Sequence, residues 1–163
     1  MQNKYDTCGV KRNWLNRKLS DECFILNGIK EGKYVMYDIN GNIEYECNYI
    51  YGKKNGICKS YTDGNLMKEC TFIDDDIRLC KVYDKEYNLK REVTYNRTMN
   101  DILTIPFTMN GPFREYYKNG QVLFECILIN NKKNGKYKRY AENGDLLYEC
   151  NYVDDAYIDD VLQ

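Results

Sequence analysis

Gly111-Pro112-Phe113-Arg114-Glu115-Tyr116-Tyr117-Lys118-Asn119-Gly120-Gln121-Val122-Leu123-Phe124-Glu125-Cys126 returns, 24 residues on, as Gly135-Lys136-Tyr137-Lys138-Arg139-Tyr140-Ala141-Glu142-Asn143-Gly144-Asp145-Leu146-Leu147-Tyr148-Glu149-Cys150. Self-similarity at such a period is the mark of a repeat architecture. Elsewhere along the chain the Glu-Cys pair also stands at Glu22-Cys23, Glu46-Cys47 and Glu69-Cys70, and as Glu92-Val93 in a fourth, degenerate copy. A glycine opens five of the six units (Gly9, Gly32, Gly56, Gly111, Gly135), and an aromatic comes five residues later: Trp14, Tyr37, Tyr61, Tyr116 and Tyr140.

Between the aromatic and the Glu-Cys pair lie Asn40-Gly41, Asp63-Gly64, Asn119-Gly120 and Asn143-Gly144. Such dipeptides tolerate the positive φ of a two-residue type I′ hairpin loop. Beyond each of them the residues alternate with period two, as in Ile43, Tyr45, Cys47, Tyr49, the pattern of a strand with two unlike faces. Each unit therefore reads as a β-hairpin. Counting outward from Asn119-Gly120 sets Arg114 opposite Glu125 and Phe113 opposite Cys126, and from Asn143-Gly144 sets Lys138 opposite Glu149 and Tyr137 opposite Cys150. The second unit gives Tyr34 opposite Cys47 and Val35 opposite Glu46; the third is one residue shorter and its register stays open. One face thus carries cysteine and aromatic side chains, the other glutamate and basic ones.

Lys53-Lys54-Asn55-Gly56 and Lys132-Lys133-Asn134-Gly135 read as the turns between hairpins. The fold expected is all-β: an elongated, twisted antiparallel meander of about six hairpins and about twelve strands, ~4.8 Å apart. Its boundaries are an N-terminal segment 1–8, the array 9–153 with an irregular insertion near 96–110, and a C-terminal tail or cap 154–163.

Composition narrows the function. With 24 basic against 25 acidic residues the net charge is −1, which removes the positive field used to bind a phosphate backbone, so no nucleic-acid partner is expected. The absence of histidine removes imidazole bases and mixed Cys/His zinc sites. No apolar run reaches the length of a membrane span, and no signal peptide is readable in the polar first residues, which points to a cytoplasmic, reducing compartment.

The eight cysteines are accordingly read as reduced thiols. Equivalent cysteines of successive units lie two strands, about 9–10 Å, apart, too far for a disulfide, so they read as small buried hydrophobes. Cys8, Cys58 and Cys80 fall outside the recurrent position, and a local pair among them stays open. The recurrent glutamates could suggest the carboxylate pair of a glycosidase, but repetition in like surroundings does not separate two pKa values. Asp74-Asp75-Asp76, Asp154-Asp155 and Asp159-Asp160 read as solvated turns without calcium-loop spacing. No catalytic residue, metal or cofactor is expected, and no small-molecule substrate. The candidate partner-binding residues are Trp14, Tyr37, Tyr61, Tyr116 and Tyr140, since an aromatic ring with a polar tip suits an interface.

The phrase Gly-x4-Tyr-x2-Asn-Gly-x-Leu-x2-Glu-Cys-x-Tyr and then Lys-Lys-Asn-Gly resembles the MORN repeat superfamily over roughly residues 9–153, and more closely its divergent branch with the YwqK-type antitoxin-like proteins. The resemblance maps Gly32, Gly56, Gly111 and Gly135 onto the opening glycine and Tyr37, Tyr61, Tyr116 and Tyr140 onto the strand aromatic. It implies a non-enzymatic scaffold that binds protein or itself, with two alternatives: an antitoxin or immunity protein neutralising one partner, or an adaptor to membrane lipid. The recurrent cysteine, the insertion and Leu79 in place of a glycine depart from the common pattern.

Overall fold

The structure, a computed structural model, describes residues 8–95 and 109–158. Most of the insertion expected at 96–110, the segment 1–7 and the tail beyond residue 158 therefore lie outside the described residues. The described chain is all-β, and its strands run in chain order with each antiparallel to its neighbours. It divides into two compact units, Met1–Arg78 and Leu79–Gln163.

The first unit holds β1 (Cys8–Leu15), β2 (Lys18–Leu26), β3 (Ile29–Tyr37), β4 (Ile43–Ile50), the two-residue β5 (Lys53–Lys54), β6 (Gly56–Thr62) and β7 (Asn65–Ile73). Strand β8 (Asp76–Tyr83) carries the division. The second unit continues with β9 (Leu89–Thr94), β10 (Gly111–Tyr116), β11 (Val122–Ile129), β12 (Lys132–Tyr140), β13 (Leu146–Val153) and β14 (Ala156–Ile158). Among the described residues these strands make the expected six hairpins, including the degenerate fourth, β8–β9. The two strands beyond the expected twelve are the short β5 and β14, the latter continuing the sheet past the array's expected end.

The register agrees with the count made from the turns. Arg114 faces Glu125, Phe113 faces Cys126, Lys138 faces Glu149, Tyr137 faces Cys150, and Tyr34 and Val35 face Cys47 and Glu46. The third hairpin, whose register the count does not settle, sets Lys59 opposite Glu69 and Cys58 opposite Cys70.

The turns differ from expectation. A type I′ loop needs positive φ at both central residues, and Asp63-Gly64 alone among the four dipeptides has it, at 52° and 77°. At Asn40-Gly41, Asn119-Gly120 and Asn143-Gly144 only the glycine is left-handed. Asp38 N donates to Asn42 O and Gly41 N to Asp38 O, at 2.8 and 3.0 Å, so these are longer loops closing on a glycine bulge. The Asp38 carboxylate accepts from the backbone of Asn40 and Asn42, and Asp84 does the same for Glu86 and Asn88 in the fourth hairpin. There Tyr87 takes the glycine's place at φ 66°. The third hairpin is one residue short because its loop is the tight one.

The connections between hairpins also need correction. Lys53, Lys54, Lys132 and Lys133 are strand residues; the turns come two residues earlier, at Tyr51-Gly52 and Asn130-Asn131, which carry the positive φ values. Asp74-Asp75 and Asp154-Asp155 are turns of the same kind. Their second aspartate clips the previous connection: Asp75 accepts from Lys54 N and Asp155 from Lys133 N, each at 2.8 Å.

The core lies along the cysteine face. Cys47, Tyr49 and Cys58 form its centre in the first unit, with Tyr34, Tyr45 and Phe72 against them. In the second, Val93, Phe113, Cys126, Leu128, Tyr137 and Cys150 form a larger cluster. Val93 is as buried as the cysteines it replaces, 4% exposed against 6% for Cys126, which fixes that position as a site for a small apolar side chain.

The expectation of reduced cysteines is overturned. Cys47 is disulfide-bonded to Cys58, and Cys70 and Cys80 are in the disulfide state as well. Recurrent cysteines two strands apart indeed do not meet, but β6 lies between β4 and β7 and places Cys58 on the same face. That brings the Cα atoms of Cys47 and Cys58 to 4.1 Å. Cys8, Cys23, Cys126 and Cys150 are free.

Candidate functional site

The glutamate face is an alternating row of charges. In the second unit Lys81, Glu92, Arg114, Glu125, Lys138 and Glu149 stand opposite one another from strand to strand. Arg114 Nε lies 3.0 Å from Glu125 and its Nη1 3.9 Å from Glu92. Lys136 Nζ reaches Glu149 at 2.6 Å and Lys138 Nζ at 3.7 Å. In the first unit Arg12 faces Glu22 at 3.1 Å, Glu22 faces Val35, Val35 faces Glu46, Glu46 faces Lys59, and Lys33 reaches in to Glu46 at 2.8 Å.

Three of the five aromatic candidates are hydrogen-bonded into this row. Tyr37 donates to Glu22 at 2.9 Å, Tyr61 to Glu46 at 2.7 Å and Tyr140 to Glu125 at 2.9 Å. Each tyrosine thus reaches back to the glutamate of the preceding hairpin, because a register shift just before it, as at Met36/Tyr37 and Arg139/Tyr140, turns its ring toward that strand. Tyr116 takes the same place; burial, then the charge of Glu92, raises its hydroxyl pKa. These four are half-buried. Trp14, in the equivalent position of the first hairpin, is 63% exposed.

Electrostatically the row stabilises ionised carboxylates. The hydrogen bonds of Lys33 and then Tyr61 lower the pKa of Glu46. Burial alone would raise that of Glu125, but the hydrogen bonds from Arg114 and Tyr140 outweigh it and the net shift is downward. A carboxylate held below its ordinary value is the opposite of a poised general acid. On the other face burial pushes the Cys126 thiol up to about 11 and raises that of Cys23, so neither is an activated nucleophile. Among the described residues no three Cys, Asp or Glu side chains gather as a metal site.

Sequence reading missed the cations over the aromatic face. Lys30 Nζ sits 4.1 Å from the Tyr34 ring centre and 5.0 Å from that of Tyr49. Lys54 lies over Tyr45 and Phe72, Lys133 over Tyr137 and Tyr152, and Arg91 over Phe113. Lys54 and Lys133 read from the sequence as turn lysines. Their aliphatic stems lie against rings on a sheet that, among the described residues, has no second layer of strands on it, while the ammonium stays in water. The signal was the strand alternation that Lys132 and Lys133 begin. In the second unit the rings of Phe113, Phe124, Tyr137 and Tyr148 stack in sequence at 5.7, 5.4 and 5.9 Å.

No curated protein matches the chain. Among solved structures it is similar to the crystal structure of TarM, at 17% identity and a TM-score of 0.44 over 64% of this chain and 19% of that one. It is likewise similar to a point mutant of S. aureus TarM in complex with Fondaparinux, alpha-GlcNAc-glycerol and UDP, at 17% identity and a TM-score of 0.43 over 63% of this chain. The chain spans about a fifth of those proteins, 19% in each. Residues 30–51, 109–130 and 133–154 match the family described as the MORN repeat variant. Each match takes in the opening glycine, the strand aromatic and the Glu-Cys pair of one hairpin, so at these three places the chain is similar to the MORN repeat variant.

Proposed function

We propose that this chain is a non-enzymatic scaffold that binds protein, another chain or its own kind, through the repeated surface of its hairpins. The observation that carries the reading is the fate of the chemistry-bearing side chains. Glu22, Glu46 and Glu125 are each engaged by a basic residue or a tyrosine of a neighbouring strand, and the buried thiols Cys23 and Cys126 are raised in pKa. The surface that remains has regular spacing, with Trp14 and strand-end aliphatics exposed along it. MORN repeats are commonly scaffolds that bind protein or membrane, and a repeat array suits that role because it extends a binding surface without converging on a point.

The test is affinity capture from the native cells with the intact chain, together with sedimentation of the purified chain. Recovery of a defined partner, or concentration-dependent association, supports the proposal. A chain that stays monomeric at high concentration and repeatedly captures nothing refutes it. A captured partner that is toxic when expressed alone would narrow the reading to the antitoxin type, and flotation with anionic vesicles to a lipid adaptor.

A further inference from the structure

Cys58 stands in the middle of a row of cysteines, and only one of its two neighbours in that row is its disulfide partner. We propose that Cys47, Cys58 and Cys70 form a thiol–disulfide exchange site, in which the bond made by Cys58 passes between Cys47 of the second hairpin and Cys70 of the third.

The row follows from register. On β4 and β6, Tyr45 faces Ser60 and Glu46 faces Lys59, so the next pair along is Cys47 and Cys58, whose Cα atoms lie 4.1 Å apart. On β6 and β7, Cys58 faces Cys70. Three cysteines therefore stand at one height on three adjacent strands, and all three are buried. Opposed residues of antiparallel strands alternate between a narrow pair, about 4.5 Å apart at Cα, and a wide, hydrogen-bonded pair, about 5.5 Å apart. The amide and carbonyl of a strand residue point to the same neighbour. A narrow pair with Cys47 thus gives Cys58 a wide pair with Cys70, and that spacing lies within the range of about 4.4–6.8 Å that a disulfide spans.

The chemistry requires the row and a reductant. Cys70 is itself in the disulfide state. A thiol reductant of the glutathione class opens that bond: two reductant thiols leave joined as a disulfide, and Cys70 and its former partner each gain a proton. The Cys70 thiolate then attacks Cys58 Sγ. The 58–70 bond forms, the 47–58 bond breaks, and Cys47 leaves as a thiolate that takes up the proton Cys70 released, with no net oxidation or reduction in this step. Displacement at sulfur runs in line with the leaving group, and a row across the sheet sets attacker, centre and leaving group in that order. Burial screens Cys58 from dissolved thiols, while the neighbouring cysteine is already in place. Cys23 lies outside the exchange, because Tyr34 stands between it and Cys47.

The exchange changes what is tied to what. The 47–58 bond joins β4 to β6, strands of successive hairpins, whereas a 58–70 bond joins the two strands of a single hairpin. Units of a repeat array are coupled through contacts with their neighbours, so the exchange removes the covalent tie between two hairpins and leaves the third closed on itself.

The test is a linkage map. The native chain is held in glutathione buffers from oxidising to reducing, quenched with N-ethylmaleimide and digested with trypsin. Cleavage after Lys33, Lys53, Lys54, Lys59, Lys68 and Arg78 puts the three cysteines in separate peptides, 34–53, 55–59 and 69–78. The oxidised chain should join 55–59 to 34–53. The partly reduced chain should join 55–59 to 69–78, about tenfold or more above any linkage of Cys58 to Cys23. In Cys47→Val, which places at Cys47 the side chain that Val93 supplies at the same position of the repeat, the 58–70 linkage should become the bond of Cys58 outright. Absence of that linkage from the parent at every buffer ratio and from a folded Cys47→Val overturns the proposal. A 58–70 linkage no more frequent than 58–23, the mark of scrambling through the unfolded chain, overturns it too. If thermal melting shows Cys47→Val to be unfolded, the parent's map alone decides.

Discussion

Replacing Tyr140 by phenylalanine removes one hydroxyl and leaves the ring. The structure sets what that hydroxyl is worth. It donates to Glu125 at 2.9 Å, and a hydrogen bond to a charged group contributes about 1.5–3 kcal/mol when water cannot replace it. Here water can enter, because the Glu125 side chain is 30% exposed and Arg114 still holds the carboxylate at 3.0 Å. The expected loss falls accordingly to about 1 kcal/mol. In a chain of this size that is a fall in Tm of about 2–4 °C, or about 4–8 °C if the second unit melts alone. Urea denaturation of Tyr140→Phe, Glu125→Gln and the double variant closes a cycle whose coupling should be about 0.5–1 kcal/mol at neutral pH. The coupling should vanish in acid, once Glu125 takes up its proton. Equal stability of Tyr140→Phe and the parent at neutral pH, or a coupling indifferent to pH, would refute the view that the tyrosine row is built into the charged face.

Glu46 and Glu125 have folded pKa values below the ordinary 4.5, so their contribution is complete above that value and is lost as pH falls through the lowered ones; melting temperature should hold through neutral pH and drop below about pH 4.5, and a flat profile down to pH 3 would contradict it. Cys126→Val should cost no more than about 1 kcal/mol because Val93 already fills the same position, whereas Cys126→Asp, placing a charge at a buried site, should cost several times as much by chemical denaturation. Alkylation after denaturation should count four free thiols before reduction and eight after it. Closing the loop between Cys47 and Cys58, separated by 11 residues, is worth about 3 kcal/mol in the chain-entropy picture. The pair Cys47→Ala and Cys58→Ala should lower stability by about that amount, and an unchanged urea midpoint would exclude the bond.

The hairpins, the alternation of their faces and the register at Arg114–Glu125 and Tyr137–Cys150 were legible because all three are local. A strand's period is two, and a turn separated from a matching pair by a fixed count leaves one pairing. The turn geometry was less legible. Asn40-Gly41 and Asp63-Gly64 look alike as dipeptides, yet only the second has both residues left-handed. Asp38, which organises the longer loop through Asn40 N and Asn42 N, sits outside the dipeptide. The candidate tyrosines recur at one position of the repeat, but the attachment of Tyr37, Tyr61 and Tyr140 to the glutamate of the previous hairpin depends on a one-residue register shift that no spacing displays.

Element type, the succession of hairpins and the sharing of faces could be read from the order of residues alone, since periodicity and turn propensity act within one unit. The pairing of cysteines, the lysines over the aromatic face and the grip of each tyrosine on the preceding hairpin became visible in the folded chain, because those contacts cross between hairpins. They depend on which strand lies between two others and on where the bulges fall. Cys58 thus pairs with Cys47 through the register of β6 on β4, which follows from the turn at Tyr51-Gly52 and the interruption between β5 and β6, neither of which the spacing of the repeat displays.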